Sequence, residues 1–262
     1  MAEGKITIEK KGHLMFIGID RVAKLNSFTP QMYSDLSIAF REYDDDSEMR
    51  CAVIFGHGDH FTSGLDLPQW VDVMANGDRN QLQGKGLDPF GLDASRRTKK
   101  PLVIAVQGYC YTLGLELLLA CDIRIAADNT RFAMLEVKRG IFPTGGGTIR
   151  LPLVMGWGNA MRYLLTGDEF NGDEAYRYGV VQAVTKPGDQ LAKAIEFAEK
   201  VAAQAPLAVQ TVLKSSRMME LEGVETAVSQ LYPLQRHLLQ TEDVQEGVRA
   251  FIERRPAQFK GK

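Results

Sequence analysis

The residues of this chain best placed to do chemistry are two glutamates set among glycines. Glu116 follows Leu113-Gly114-Leu115 at the start of an apolar segment, 113–121, that reads as a helix. A carboxylate there either benefits from the positive end of the helix or is partly buried with a raised pKa. Glu136 precedes Arg139-Gly140-Ile141-Phe142-Pro143-Thr144-Gly145-Gly146-Gly147-Thr148, where three glycines permit a backbone anion nest or a close helix approach. A third segment, Phe61-Thr62-Ser63-Gly64-Leu65-Asp66-Leu67, follows the apolar run 51–55. Gly64 lets a ligand approach the backbone, and amides at such a strand-to-helix turn can face an anion or a polarised carbonyl. Each feature alone also has a plainer reading: a tight turn, a dipole-stabilised glutamate, a surface carboxylate. Paired carboxyls beside free amides suit general acid–base chemistry on a carbonyl compound.

Other chemistries lack their parts. There is no GxSxG nucleophile elbow. The triple glycine is not followed by Lys-Ser or Lys-Thr, so it is not a phosphate-binding P-loop. His57 and His60 bracket Gly58-Asp59 without a third clustered ligand and read as a plain loop, so no metal site is expected. His13 and His237 stand alone.

The elements that must position these groups alternate in the first half. Residues 5–9 and 13–20 read as strands joined by a Lys-Gly turn, and Thr29-Pro30 opens a helix with a capping hydroxyl and a proline where its missing N–H costs nothing. Residues 51–55 and 101–107 read as buried strands, 56–68 as a loop, and 122–127 as a further strand. Residues 69–100 are irregular, which in a compact domain suggests a functional or mobile segment; its larger apolar residues include Trp70, Met74 and Phe90. From residue 157 the chain reads as helices at 157–166, 172–178, 188–204, 206–220, 223–239 and 242–255. The order suggests parallel strands with crossovers, a loose ββα recurrence, and a helical C-terminal part.

The 262 residues carry a net charge of -2, so no global field favours nucleic acid or an anionic membrane. Three cysteines without CxxC spacing read as buried thiols of a reducing compartment. The N-terminal residues lack an apolar signal core, and no apolar run approaches the ~18 residues of a membrane span. A cytoplasmic location is expected.

Taken in order, the segments resemble the crotonase superfamily and, within it, the enoyl-CoA hydratases. The resemblance rests on Lys24-Leu25-Asn26-Ser27, Ser63-Gly64-Leu65-Asp66-Leu67, Gly108-Tyr109 through Glu116 to Cys121-Asp122, Phe132 through Glu136 to Pro143, Gly146-Gly147-Thr148 with Arg150-Leu151, Leu165-Thr166-Gly167-Asp168, and Glu246 through Phe251. It implies an α/β fold, a crotonase-like spiral of ββα units over residues 1–200, with a helical C-terminal trimerisation region at 201–262. It implies hydration of a 2-enoyl-CoA thioester, with Glu116 and Glu136 as the acid/base pair and the amides of Leu65 and Leu113 as the oxyanion hole. Substrate contacts are expected at Lys24, Ser63, Gly64, Asp66, Leu67, Trp70 and Phe142. No cofactor or metal is expected, coenzyme A being part of the substrate. The assembly implied is a homotrimer or homohexamer, with neither nucleic acid nor membrane as partner. Double-bond isomerisation, another crotonase reaction, and a non-catalytic acyl-CoA-binding scaffold remain as alternatives. The chain departs from the pattern at Leu113, where the family usually has Gly, at Tyr111 and Thr112, usually small, and at Leu65, usually Ala.

Overall fold

The computed structural model describes residues 3–77 and 82–262. Strands β1 (Lys5–Lys11) and β2 (Leu14–Asp20) form an antiparallel hairpin, after which β3 (Cys51–Gly56), β4 (Leu102–Val106), β6 (Ile123–Ala127) and β9 (Ala183–Thr185) add in parallel, in the order β1-β2-β3-β4-β6-β9. The central strands are apolar along their whole length because both faces are covered. One face packs on helix α1 (Pro30–Asp45) and on α3 (Leu113–Ala120), whose residues are all buried. The other lies under the alanines Ala194, Ala198 and Ala202 of α7 (Gln190–Ala202), a four-residue spacing of small side chains that lets the helix approach closely.

A second, three-stranded sheet of order β5-β7-β8 contains β5 (Tyr109–Tyr111), β7 (Arg131–Ala133) and β8 (Phe170–Asn171). The chain runs β4, β5, α3, then β6, β7 and a 3-10 turn (Glu136–Arg139), so successive turns each contribute to both sheets. An earlier turn follows the same path: after β3, Thr62 bridges Cys110, and α2 (Leu67–Asn76) follows. This is the ββα spiral. The parallel register Tyr111↔Ala133 brings the start of α3 and the turn carrying Glu136 to one end of the small sheet.

The remaining helices are α4 (Gly147–Met155), α5 (Trp157–Thr166), α6 (Gly172–Arg177), α8 (Pro206–Glu222), α9 (Val224–Leu238) and α10 (Glu242–Glu253). The last three follow the sequence reading closely. The tail returns to the body, where Arg50 Nη2 donates to the Phe259 carbonyl at 2.7 Å.

Four features differ from the sequence reading. The irregular stretch 69–100 begins inside α2, which itself starts within the segment read as a loop. Helix α4, which starts at Gly147 and contains Pro152, lies before residue 157, where the helical reading began. Strands β5, β7 and β8 are two or three residues long, too short for a periodic signal. Strand β9 lies between two segments read as helical.

Candidate active site

The loops that end three successive turns of the spiral are laced together by backbone. Phe61 N donates to Gln107 O at 2.8 Å, Thr62 N to Tyr109 O at 2.8 Å, and Tyr111 N to Thr62 O at 3.1 Å. Ser63 N reaches back to Leu25 O at 2.9 Å, and Asn26 Nδ2 holds the carbonyls of His57 and His60 at 2.8 and 2.7 Å. Segment 62–65 thus runs beside segment 109–113. The approach requires glycine: a Cβ at Gly114 would stand 2.4 Å from Thr62 Cγ2, and one at Gly64 would stand 2.1 Å from Thr112 Oγ1, with Gly64 at φ 102°.

The amides of Leu65 and Leu113 emerge from these two adjacent segments. Leu113 is the first residue of α3, where the amide has no intrahelical acceptor. Neither amide donates to another group among the described residues. Thr112, which precedes Leu113, holds φ 50° and ψ -116°, a conformation that costs a β-branched residue roughly 1–3 kcal/mol. It is pinned by its own N–H to Ala133 O at 2.8 Å and by its carbonyl, which accepts from Glu116 N at 3.0 Å.

Glu116, one turn into α3, is buried. Its Oε1 accepts from Gly145 N at 2.6 Å and Gly147 N at 3.1 Å. The triple glycine is therefore a cradle for this carboxylate, and a Cβ at Gly145 would lie 2.5 Å from Glu116 Oε2. Glu136 opens the 3-10 turn and is also buried, which rules out the surface-carboxylate reading. Its Oε2 has no hydrogen-bond partner among the described residues. Burial pushes the Glu136 carboxyl up to about 7, its own backbone amide opposes this, and the charge of Glu116 adds to the rise.

Both glutamates line one cavity of about 930 Å³ with Ser63, Leu65, Leu67, Trp70, Leu113 and Phe142. Met74 and Phe90, from the stretch read as irregular, also line it. Trp70 is fixed by Nε1 donating to Phe28 O at 2.9 Å and by an edge-on contact with Tyr33. Gly64 lies in the wall's backbone between Ser63 and Leu65. Two expected contacts lie elsewhere. Asp66 stands at the N-cap position of α2 without a side-chain capping bond and pairs instead with the buried Arg21 at 2.8 Å, away from the cavity lining. Lys24 is exposed in the 3-10 turn Val22–Lys24, also outside the lining. Thr112 and Arg139 also line the cavity, although neither was expected as a substrate contact. Position 139 would have required recognising the turn after Glu136 as 3-10, which eclipses residues three apart. The histidines of the loop are structural: His57 Nε2 and Thr7 Oγ1 are 2.9 Å apart, and Tyr109 N donates to His60 Nδ1 at 3.0 Å.

The family model described as enoyl-CoA hydratase/isomerase matches residues 9–262. The chain is similar to enoyl-CoA hydratase EchA19 of Mycobacterium tuberculosis, with 31% identity over 97% of this chain and 96% of that protein. It is 32% identical to crotonyl-CoA hydratase of Syntrophomonas wolfei, with 99% of each covered. Among solved structures, a probable enoyl-CoA hydratase/isomerase from Mycobacterium abscessus superposes with a TM-score of 0.94 at 43% identity, covering 98% of both chains. Matched by that family model from residue 9 to residue 262, this chain belongs to the enoyl-CoA hydratase/isomerase family.

Proposed function

We propose that this protein is an enoyl-CoA hydratase that adds water across the 2,3 double bond of a 2-enoyl-CoA thioester. The observation that carries this reading is the contrast between the two glutamates: one clasped by two amides, the other buried with a bare oxygen and a carboxyl raised to about 7. The thioester oxygen accepts from the amides of Leu65 and Leu113, which stabilise the enolate that develops on it; one such donor is worth ~3 kcal/mol. Glu116, oriented by Gly145 and Gly147, holds the water and takes its proton as the oxygen bonds to C3. Glu136, still largely protonated near neutrality, gives its proton to C2 as the enolate collapses. Exchange with solvent then returns a proton to Glu136 and removes one from Glu116. In this scheme backbone amides and two carboxyls supply the chemistry, and coenzyme A arrives with the substrate.

The same reading extends to assembly. Val228, Leu231, Tyr232, Leu239, Phe251 and Ile252 are exposed on or beside the C-terminal helices, an apolar surface suited to packing against copies of the chain in a trimer or hexamer. A division near residue 200, between the body and the assembling helices, goes with it. Among the described residues no helix is long and apolar enough to cross a membrane, which is compatible with a cytoplasmic enzyme.

The test is hydration of a panel of 2-enoyl-CoA thioesters of differing length and branching, followed by loss of the enoyl-thioester absorbance, with Glu116→Gln and Glu136→Gln as variants. Each variant should lower kcat by about a hundredfold or more. Hydration that survives Glu116→Gln while Glu136→Gln abolishes activity would favour double-bond isomerisation. Full activity in both would remove the mechanism.

A further inference from the structure

The cavity holds one cation among its described lining residues, Arg139. It is the last residue of the 3-10 turn that Glu136 opens. A 3-10 turn has three residues per repeat, so positions 136 and 139 share a face, and the rise between them is about 6 Å. Glu136 is buried and Arg139 exposed, so the guanidinium stands nearer solvent on the wall the two share, with Ile141 and Phe142 also lining it.

The guanidinium has little to do in the protein itself. Its Nη1 donates to the adjacent Lys138 carbonyl at 3.3 Å, and no carboxylate among the described residues lies within ion-pair distance. Lys138 beside it turns outward, with Asp168 4.0 Å away. Neither cavity carboxyl answers Arg139. Glu116 is bound by two amides, and the raised carboxyl of Glu136 reflects burial and Glu116, with no opposing cation. The wall beside it is mostly apolar and aromatic, so an anion reaching this exposed rim meets a planar, five-donor fork as its one cationic partner among the described lining residues.

Building on the acyl-CoA reading above, we propose that Arg139 selects 2-enoyl-CoA thioesters whose acyl chain ends in a carboxylate. Its guanidinium receives that carboxylate as a bidentate pair. The pair holds the chain extended along the wall and keeps C2 and C3 between the two glutamates.

The experiment measures binding of saturated, unreactive CoA thioesters by calorimetry, so that it does not depend on turnover. Hexanoyl-CoA and octanoyl-CoA are compared with adipyl-CoA and suberyl-CoA on the wild-type protein, Arg139→Gln and Arg139→Lys, with circular dichroism as a check on folding. The expected result is that Arg139→Gln weakens binding of a carboxylate-bearing thioester about threefold or more relative to its neutral counterpart, and that Arg139→Lys recovers part of the difference. Equal weakening of both ligand types would assign the charge to the phosphates of coenzyme A and overturn the proposal. Unchanged binding of both would also overturn it. Failure of every CoA thioester to bind the wild-type protein would overturn the acyl-CoA reading itself, an outcome separate from either of these.

Discussion

Glu136→Gln should stabilise the folded protein in alkaline solution while disabling it. The Glu136 carboxyl is raised from the ordinary range near 4.5 to about 7, chiefly by burial. The folded state therefore keeps a proton that the unfolded chain has already released between these two values. Stability falls with pH wherever the unfolded state binds fewer protons, so this side chain contributes full stability below about pH 4.5 and loses it as pH rises through about 7. At roughly 1.4 kcal/mol per pH unit, the ionised form costs the fold about 3 kcal/mol above pH 8. Glutamine is nearly isosteric and cannot ionise. It resembles the protonated carboxyl, which already leaves Oε2 without a partner. Denaturant unfolding of wild type and variant, at one fixed protein concentration, should give nearly equal free energies at pH 4.5. At pH 8.5 the variant should be more stable by up to about 3 kcal/mol. The wild-type rate provides a second sign. If Glu136 donates its proton to C2, kcat/KM falls as pH rises through about 7. Identical stability differences at both pH values would refute the buried-carboxyl argument. A rate that climbs through the same range would refute the assignment of Glu136 as the acid.

Other consequences concern the amides and the assembly. Gly64→Ala places a methyl 2.1 Å from Thr112 Oγ1 at a φ of 102°. It should lower Tm by several degrees and kcat by about tenfold or more as the Leu65 amide moves. Adding Thr112→Gly should recover only the steric part of that loss, since the backbone angle at residue 64 stays unfavourable; complete recovery would show that φ is not the problem. Replacing the Leu113 amide by an ester, through incorporation of the α-hydroxy analogue of leucine, removes one N–H and leaves the side chain. It should slow hydration about a hundredfold, and an unchanged kcat would show that this amide does not hold the thioester oxygen. Light scattering at micromolar concentration should find a trimer or hexamer, and a stable monomer would count against the assembly reading.

Much of the site was legible because its parts are local. A glycine in a strand-to-helix turn, a glutamate in the first turn of an apolar helix and a glutamate ahead of a glycine run are each visible in one short segment. Their order along the chain carried the resemblance to the family. The strands of the main sheet and the C-terminal helices were also readable, because burial on both faces writes an apolar run and amphipathic packing writes a helical period.

What only the tertiary structure decided is which groups meet, and at what cost. The small sheet is built from strands of two or three residues, and its parallel register is a contact between segments about twenty residues apart in sequence. No local pattern encodes such a pairing, yet it brings Leu113 and Glu136 to one end of the fold. Asp66 looked like a ligand contact from its neighbours; its partner, Arg21, is distant in the chain and holds it in an ion pair away from the cavity. The glycines at 145 and 147 read as an anion nest, and the anion is the chain's own Glu116. The sequence determined which chemical groups were present and which elements bore them. Burial, ion pairing and the shift of Glu136 depend on long-range neighbours, and so they were settled only when the spiral closed.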